Sequence, residues 1–296
     1  MKKLSLFIIL AWFSYLPVFA QPKQNTIKLK QKILAELHKY KGTYAVAFKD
    51  LSSGDELLIN EHENFHAAST MKTPVMIEVF KQAALGKFAL TDSVTIKNEF
   101  KSIVDGSLFS LDSIQDSDHV LYRQIGQKRA IKDLVYEMII VSSNLATNII
   151  IDLIDAKNVT QTMRDFGAKD IQILRGVEDS KAFQQNLNNT VNAYDLKIIF
   201  EGIANGKVVD QKSCDAMIKI LLDQKFNDII PGKLPKNVRV AHKTGSISKV
   251  QHDSGIVLLP DGRKYVLVLL SKDWDDEKSN KKMLAGISEM IYLNVK

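Results

Sequence analysis

Phe65-His66-Ala67-Ala68-Ser69-Thr70-Met71-Lys72 leads into an apolar run, Pro74 to Leu85, that stops at Gly86. The run predicts a buried helix that begins near Ser69 and carries Lys72 in its first turn. Residues three apart on a helix lie on one face, so we expect the Lys72 amine to reach the Ser69 hydroxyl. A hydroxyl beside an amine that can take its proton has the arrangement of an activated serine nucleophile.

On both sides of this helix, the sequence predicts further helices, and it predicts strands toward the two ends of the chain. Helices are predicted at 26–41, 131–140, 144–154, 159–166, 192–204, 214–226 and 275–293, from apolar spacing and from the residues that begin and end them. Strands are predicted at 43–50, 56–60, 239–246, 253–259 and 264–271, separated by Gly-containing turns. The polar, Asp/Ser-rich segment 98–126 is predicted to be a loop with little regular structure.

This order predicts an α/β fold of the α+β type. We expect an antiparallel sheet of about five strands from both chain ends, flanked by helices, with an all-helical insertion. The predicted division is an α/β part at about 21–68 and 227–296, and an all-α part at about 69–226.

Residues 1–20 have the pattern of a secretory signal peptide. Lys2 and Lys3 precede the apolar run Leu4 to Leu16, which is shorter than the roughly 20 residues of a membrane span, and Val18-Phe19-Ala20 fits a cleavage site. The alternative is a retained N-terminal anchor. We expect a mature protein, residues 21–296, that is secreted or periplasmic and has no stable membrane span.

Composition excludes several classes of function. The formal charge of +6 comes from 40 basic and 34 acidic residues that are scattered, whereas a nucleic-acid-binding protein would show a concentrated basic stripe. Cys214 is the only cysteine, so neither an internal disulfide nor a cysteine metal cluster is possible. We expect a monomer with no cofactor, no metal and no nucleic-acid partner.

The pattern Ser-x-x-Lys is a weak signal alone, because it recurs at 246–249 and 279–282. Two further motifs strengthen it. Ser142-Ser143-Asn144 stands before an apolar helix, although three polar residues there can also be helix caps. Lys243-Thr244-Gly245 lies in a predicted strand, where Gly permits close backbone approach by a ligand; the alternative is a strand end near a bulge.

In this order, the three motifs are those of class A β-lactamases and penicillin-binding proteins. The whole mature chain resembles the class A β-lactamase-like serine hydrolases in its motifs, their order and its layout. The resemblance implies that Ser69 attacks a carbonyl carbon and becomes acylated. It also implies that Lys72, with a pKa lowered by desolvation and by Lys243, takes the serine proton.

The resemblance implies roles for the other motif residues as well. Ser142 would relay a proton to the leaving nitrogen, and the N–H groups of Ser69 and Ser246 would form the oxyanion hole. Lys243 and Thr244 would receive an anionic group such as a carboxylate. The implied substrate-binding residues are Asn144, Lys243, Thr244, Gly245 and Ser246.

The chain departs from the family at the step that hydrolyses the acyl-enzyme. Glu178 stands close to the family interval after Ser142, which supports it as the catalytic base for water. The usual Glu-x-x-x-Asn pattern is absent, since Ala182 stands four residues on and the nearest asparagine is Asn186. The alternative is that Glu178 forms a loop ion pair with Arg175.

Two other departures bear on substrate specificity. Ser143 occupies the middle of Ser-x-Asn, where β-lactamases usually carry Asp, and residues 251–255 lack the Arg that often helps to hold the substrate carboxylate. We expect β-lactam hydrolysis as the leading activity, on a small-molecule or peptide-like acyl substrate. The alternatives are a D,D-peptidase-like or esterase-like hydrolase of the same fold, and a catalytically silent envelope-binding protein.

His62-Glu63-Asn64-Phe65-His66 matches the zinc-protease pattern His-Glu-x-x-His. That chemistry needs both histidines on one helical face, and this segment lies between a predicted strand and the Ser69 helix. We therefore interpret it as a loop, and His252 as a residue at the rim of the site.

Overall fold

The structure is a computed structural model that describes residues 24–296, so the predicted signal peptide lies outside the described residues. The helices, in chain order, are α1 (Gln24–Leu37), α2 (Lys72–Ala84), α3 (His119–Tyr122), α4 (Ile131–Ile140), α5 (Asn144–Ile154), α6 (Ala156–Asp165), α7 (Ser180–Gln184), α8 (Ala193–Ala204), α9 (Gln211–Leu222) and α10 (Glu277–Val295). The strands are β1 (Thr43–Asp50), β2 (Glu56–Ile59), β3 (Phe65–His66), β4 (Ser93–Thr95), β5 (Phe100–Lys101), β6 (Leu108–Phe109), β7 (Lys128–Ala130), β8 (Thr190–Val191), β9 (Arg239–Ile247), β10 (Val250–Leu258) and β11 (Lys264–Lys272). Two 3₁₀ turns lie at Ala68–Met71 and Pro231–Lys233.

Five of these strands form one antiparallel sheet in the order β2-β1-β11-β10-β9. β1 lies beside β11, with Thr43 opposite Lys272, so strands from the two chain ends meet in the middle of the sheet. β9 is at one edge and pairs with β10, which places Gly245 opposite His252. The predicted five-stranded antiparallel sheet from both chain ends is confirmed.

The two faces of the sheet bury different side chains because successive residues of a strand point to opposite sides. On β1, Tyr44, Val46 and Phe48 belong to a core shared with α1 and α10. Ala45 and Ala47 point the other way, into a larger core formed with the helices of the middle of the chain. The small alanines let α8 pack close to β1.

Polar side chains fix where many of the helices begin. Ser143, Asp155, Asn192, Asp210 and Asp276 each accept a hydrogen bond from a backbone N–H in the first turn of the helix that follows. Such a cap stabilises a helix by about 1 kcal/mol. The cap at Ser143 fixes the start of α5 within the Ser-x-Asn motif.

The segment 98–126, predicted to be a loop, contains more regular structure than expected. β5 and β6 pair as a small hairpin, and α3 adds one helical turn. Two-residue strands are too short to show alternation in a sequence, and the same Asp and Ser residues that indicate a loop also hold these turns. Asp105, for example, accepts from the backbone N–H of Ser107 at 3.0 Å.

The division into an α/β part and an all-α part remains a prediction. Of the helices in residues 24–296, none combines the length and apolar character needed to cross a bilayer.

Candidate active site

Ser69 lies in the 3₁₀ turn before α2, with its side chain partly exposed. Ala68, immediately before it, has a φ of +45°, which is unfavourable for a residue with a Cβ. Two local hydrogen bonds hold this turn: the Ala68 N–H donates to His66 Nδ1 at 3.0 Å, and Thr70 Oγ1 donates to the Ala67 carbonyl at 2.6 Å. The backbone before Ser69 is therefore fixed by its own side chains.

Gly245 allows strand β9 to run against this turn. A Cβ at Gly245 would lie 3.1 Å from the Ser69 nitrogen and 3.0 Å from the Thr70 nitrogen. The close approach at Gly245 is thus made by the turn that carries Ser69, and the predicted approach of a ligand stays a prediction. Because β9 is an edge strand among the described strands, some of its N–H groups can face away from the sheet.

Lys72 is fully buried in the first turn of α2. Within residues 24–296 its amine donates three hydrogen bonds, to the Ser142 carbonyl at 2.7 Å, Ser142 Oγ at 3.2 Å and Asn144 Oδ1 at 2.8 Å. The expected hydrogen bond to the Ser69 hydroxyl is not among them, because these three acceptors take the donors of the amine. Burial lowers the pKa of Lys72 to about 7, against the opposing effect of the Asp116 and Glu178 carboxylates. A pKa in this range leaves part of the amine neutral near pH 7, so the group can accept a proton.

A second buried amine, that of Lys243, approaches the same serine. Its Nζ donates to Ser142 Oγ at 3.1 Å and to the Thr244 carbonyl at 2.9 Å. Burial lowers the pKa of Lys243 well below its usual value, the charge of Lys72 lowers it further, and Asp253 opposes both effects. The Ser142 hydroxyl thus lies between two amines that can exchange protons through it, on a residue whose φ is +60°.

Asn144 connects the amine of Lys72 to the loop that carries Glu178. Its Oδ1 accepts from Lys72, and its Nδ2 donates to Glu178 Oε1 at 2.7 Å. Partial burial raises the pKa of Glu178, although the residue keeps contact with solvent. One amide side chain therefore contacts both the buried amine and the Glu178 carboxylate.

The alternative interpretation of Glu178, an ion pair with Arg175, is wrong. The Arg175 guanidinium donates to the carbonyls of Leu187 and Gly176 and to the side chain of Asn188. The loop is held this way because the buried guanidinium satisfies backbone acceptors inside it, which leaves the Glu178 carboxylate directed at Asn144.

Ser69 opens into two adjoining cavities of about 250 and 640 Å³. Ser69, Gln115, Asn144 and Ser246 line both. The smaller cavity is also lined by Ser142, Phe226, Asp228, Thr244, Gly245 and Lys281. The larger is also lined by His66, Arg175, Glu178, Phe183 and Ile247. The structure thus brings together all nine predicted site residues, either through these cavities or through the hydrogen bonds of Lys72 and Lys243.

Residues 28–295 match the model of the β-lactamase enzyme family. The chain belongs to that family. It is 22% identical to β-lactamase VEB-1 of Pseudomonas aeruginosa, over 99% of this chain and 98% of that protein. It is 24% identical to a β-lactamase of Bacteroides uniformis, over 96% of each. The resemblance inferred from the three motifs is confirmed.

Solved structures agree with the family fold. PBP-A superposes with a TM-score of 0.80 at 26% identity, over 93% of this chain and 98% of PBP-A. A mutant of PBP-A has been solved as an acyl-enzyme complex with penicillin G. A β-lactamase of Sphaerobacter thermophilus superposes with a TM-score of 0.76 at 24% identity, over 89% of this chain and 95% of that one.

Three residues at the candidate site of this β-lactamase family member were not predicted from sequence to belong to it. Asp116 is buried beside the start of α5. Gln115 lines both cavities, and Lys281 of α10 lines the smaller one. Asp116 and Gln115 come from a segment without periodicity, and Lys281 is one of several helix lysines, so only the fold distinguishes them.

The histidine predictions have different outcomes. His252 lines the smaller cavity, but as a fully buried part of its wall rather than as an exposed rim residue. Burial lowers the pKa of His252 to about 4, and its Nε2 faces the His66 carbonyl at 3.0 Å. The His-Glu-x-x-His segment is not helical, as predicted: it consists of a turn and the two residues of β3. Among the described residues, no group of three or more His, Cys, Asp or Glu side chains could hold a metal ion. Cys214 is buried in α9.

Proposed function

We propose that this protein is a serine hydrolase that forms a covalent acyl-Ser69 intermediate, with the β-lactam amide bond as its leading substrate. One observation carries the proposal. The Ser142 hydroxyl lies 3.2 Å from the Lys72 amine and 3.1 Å from the Lys243 amine, and it lines the same cavity as the partly exposed Ser69. A binding protein has no use for two buried amines with lowered pKa values, whereas an acyl-transfer enzyme needs a base at neutral pH.

Acylation begins with proton transfer from Ser69 Oγ to the neutral Lys72 amine as Oγ attacks the substrate carbonyl carbon. The N–H groups of Ser69 and Ser246 stabilise the negative charge that develops on the carbonyl oxygen, for which loss of one donor typically costs roughly 3 kcal/mol. When the carbon–nitrogen bond breaks, Ser142 Oγ gives its proton to the leaving nitrogen. Ser142 regains a proton from the ammonium group of Lys72, or from Lys243.

Deacylation requires a water molecule and a base. We assign the base to Glu178, whose carboxylate Asn144 holds at 2.7 Å and whose pKa is raised by partial burial. Glu178 takes a proton from water as the water oxygen attacks the acyl carbon, and Ser69 Oγ leaves as the serine hydroxyl. The proton that Ser69 Oγ receives is the one that Glu178 took from water, and its return restores the Glu178 carboxylate and leaves Lys72 neutral for the next cycle.

Substrate binding uses the edge of β9 and the smaller cavity. Thr244, Gly245 and Ser246 form one wall, Lys243 is buried beside them, and the anionic group of the substrate lies against Thr244. No arginine stands at 251–255. Lys281 lines the same cavity and supplies a cation there, although it is already 2.9 Å from Glu277 and 3.9 Å from Asp228.

A second candidate is a D,D-peptidase-like or esterase-like hydrolase with weak or no β-lactamase activity. The absence of an asparagine four residues after Glu178 favours it, because the hydrolytic water would have fewer ligands from that loop. A catalytically silent envelope-binding protein is the candidate of another class. Such a protein would not be labelled at Ser69 by any serine-reactive acylating probe.

The test is intact-protein mass over time after mixing residues 21–296 with a penicillin and with a cephalosporin, using Ser69→Ala as control. We expect an adduct that depends on Ser69 and that clears while the drug is consumed. An adduct that never clears, or none at all, would contradict β-lactamase action and favour the second candidate.

We also propose that the mature protein is secreted or periplasmic and monomeric, after cleavage near Ala20. N-terminal sequencing of exported protein tests the cleavage, and light scattering tests the oligomeric state. Retention of residues 1–20 on membranes would show that the segment is an anchor.

A further inference from the structure

A buried carboxylate from a distant part of the chain stands at the start of α5. Asp116 is 2% exposed and belongs to the segment 98–126. Its Oδ1 accepts from the Asn144 N–H and the Asp118 N–H, both at 3.1 Å. Its Oδ2 accepts from the N–H groups of Asn144 at 3.0 Å and Leu145 at 2.9 Å, and from the Tyr122 hydroxyl at 3.0 Å. Every contact is a donor, as an ionised carboxylate prefers.

These contacts give hydrogen-bond acceptors to the first N–H groups of α5, the helix whose start carries the Ser-x-Asn motif. The first N–H groups of a helix lack partners within it and attract negative charge. Ser143 Oγ accepts the third, from Ala146 at 3.2 Å, and Asp116 accepts the first two. Ser143, at the middle of the Ser-x-Asn motif, carries no charge. The Asp116 carboxylate therefore supplies the negative charge at this helix start from another part of the chain.

Asp116 fixes the stretch of backbone that carries Ser142 and Asn144, two residues of the proposed proton path. Ser142 has a left-handed φ, a conformation that persists in a residue with a Cβ only when its surroundings fix it. Asn144, whose N–H groups contact both Asp116 and Glu178, also accepts from Lys72. A shift of the start of α5 would move Ser142 and Asn144 together.

The charge of Asp116 also acts on the Lys72 amine. The charged groups that face Lys72 are the carboxylates of Asp116 and Glu178 and the amine of Lys243. The two carboxylates favour the ammonium form, whereas burial and Lys243 disfavour it. Without Asp116, only Glu178 would oppose burial.

We propose that Asp116 is a positioning residue for acylation, which fixes Ser142 and Asn144 through the start of α5 and acts by its negative charge on the Lys72 amine that Asn144 contacts. This inference rests on the proposed function only where it concerns acylation. The effect on Lys72 is a property of the free protein and can be measured without any substrate.

The first test is ¹³C NMR titration of protein labelled at the lysine ε carbon, with the Lys72 signal assigned by its loss in Lys72→Arg. Asp116→Asn removes the charge, so we expect the Lys72 midpoint to fall by about one pH unit. Tyr122→Phe removes one donor and keeps the charge, so we expect an unchanged midpoint. An unchanged midpoint in a folded Asp116→Asn protein overturns the inference.

A double variant separates charge from structure. Asp116→Asn with Ser143→Asp returns a carboxylate to the same helix start, and we expect the Lys72 midpoint to move back toward the wild-type value. If Asp116→Asn alone does not fold, a folded double variant with a near-wild-type midpoint supports the inference. If the double variant also fails to fold, or titrates unlike the wild type, Asp116 serves the fold alone and the inference is overturned.

The second test is the rate of Ser69 acylation by a penicillin as a function of pH, in the same proteins. We expect Asp116→Asn to lower the plateau rate at least tenfold and to shift the acid limb to lower pH, with Tyr122→Phe keeping the wild-type limb. A wild-type protein that no β-lactam acylates would contradict the proposed function, and the NMR result would still decide the role of Asp116.

Discussion

The side-chain amide of Asn144 donates a hydrogen bond of 2.7 Å to Glu178, which lies 34 residues further along the chain. The other end of the same amide accepts from Lys72 at 2.8 Å. One side chain thus orients the two groups to which we assign the acylation base and the deacylation base. Because the amide has a fixed donor end and a fixed acceptor end, it distinguishes an ammonium group from a carboxylate.

Glu178→Gln should trap the acyl-enzyme. The amide cannot take a proton from water, and general-base catalysis typically contributes about 10²–10⁴-fold, so the deacylation rate should fall by that factor while acylation continues. The measurement is the lifetime of the Ser69 adduct by intact mass. Glu99→Gln is the matched control, an exposed glutamate whose loss should change nothing. Unchanged turnover in Glu178→Gln would remove Glu178 from the mechanism.

The acylation rate should depend on pH with an acid limb near pH 7. The pKa of Lys72 is lowered to about 7, so the amine is protonated and inactive as a base below that pH and neutral above it. The rate should therefore fall about tenfold per pH unit on the acid side. Stopped-flow acylation from pH 5 to 9 measures it. Lys72→Arg, which stays protonated, should show no acylation in this range; a flat profile in the wild type would contradict Lys72 as the base.

Lys281→Gln should weaken binding of substrates that carry a carboxylate. The lysine is the cation of α10 that lines the smaller cavity, and its loss should raise KM about threefold to tenfold with little change in kcat. The methyl ester of the same substrate should show no such increase. Lys282→Gln is the control, since that neighbour on α10 is exposed. Equal effects on acid and ester would show that Lys281 does not contact the anion.

Gly245→Ala should lower the acylation rate more than it lowers the stability of the fold. The added methyl group would lie 3.0–3.1 Å from the backbone nitrogens of Thr70 and Ser69, so the nucleophile turn or β9 must move. A shift of a few tenths of an ångström at the oxyanion hole should lower acylation by about tenfold. Gly286→Ala is the control, since its methyl group would meet only the flexible end of Lys233 at 3.4 Å. Full activity in Gly245→Ala would show that this approach is not needed.

Much of the fold could be predicted because its signals are local. The alternation of Thr43–Asp50, the apolar spacing of Asn144–Ile154 and the Gly-containing turns between strands depend on neighbouring residues, and the structure has each element within a few residues of its prediction. The segment 98–126 was predicted less well because its strands are two residues long. The burial of His252 was not predicted because the strand was expected at 253–259, whereas β10 begins at Val250 and includes His252.

The sequence by itself determined the nucleophile motif, its two partner motifs and the layout of the sheet, because each depends on residue type and on spacing along the chain. Only the tertiary structure decided that Glu178 is directed at Asn144 rather than at Arg175, and that Asp116 and Lys281 belong to the site. The physical reason is that hydrogen bonds and charges act over a few ångströms in space. Groups such as Asp116 and Asn144 become neighbours only when the core has brought distant segments together.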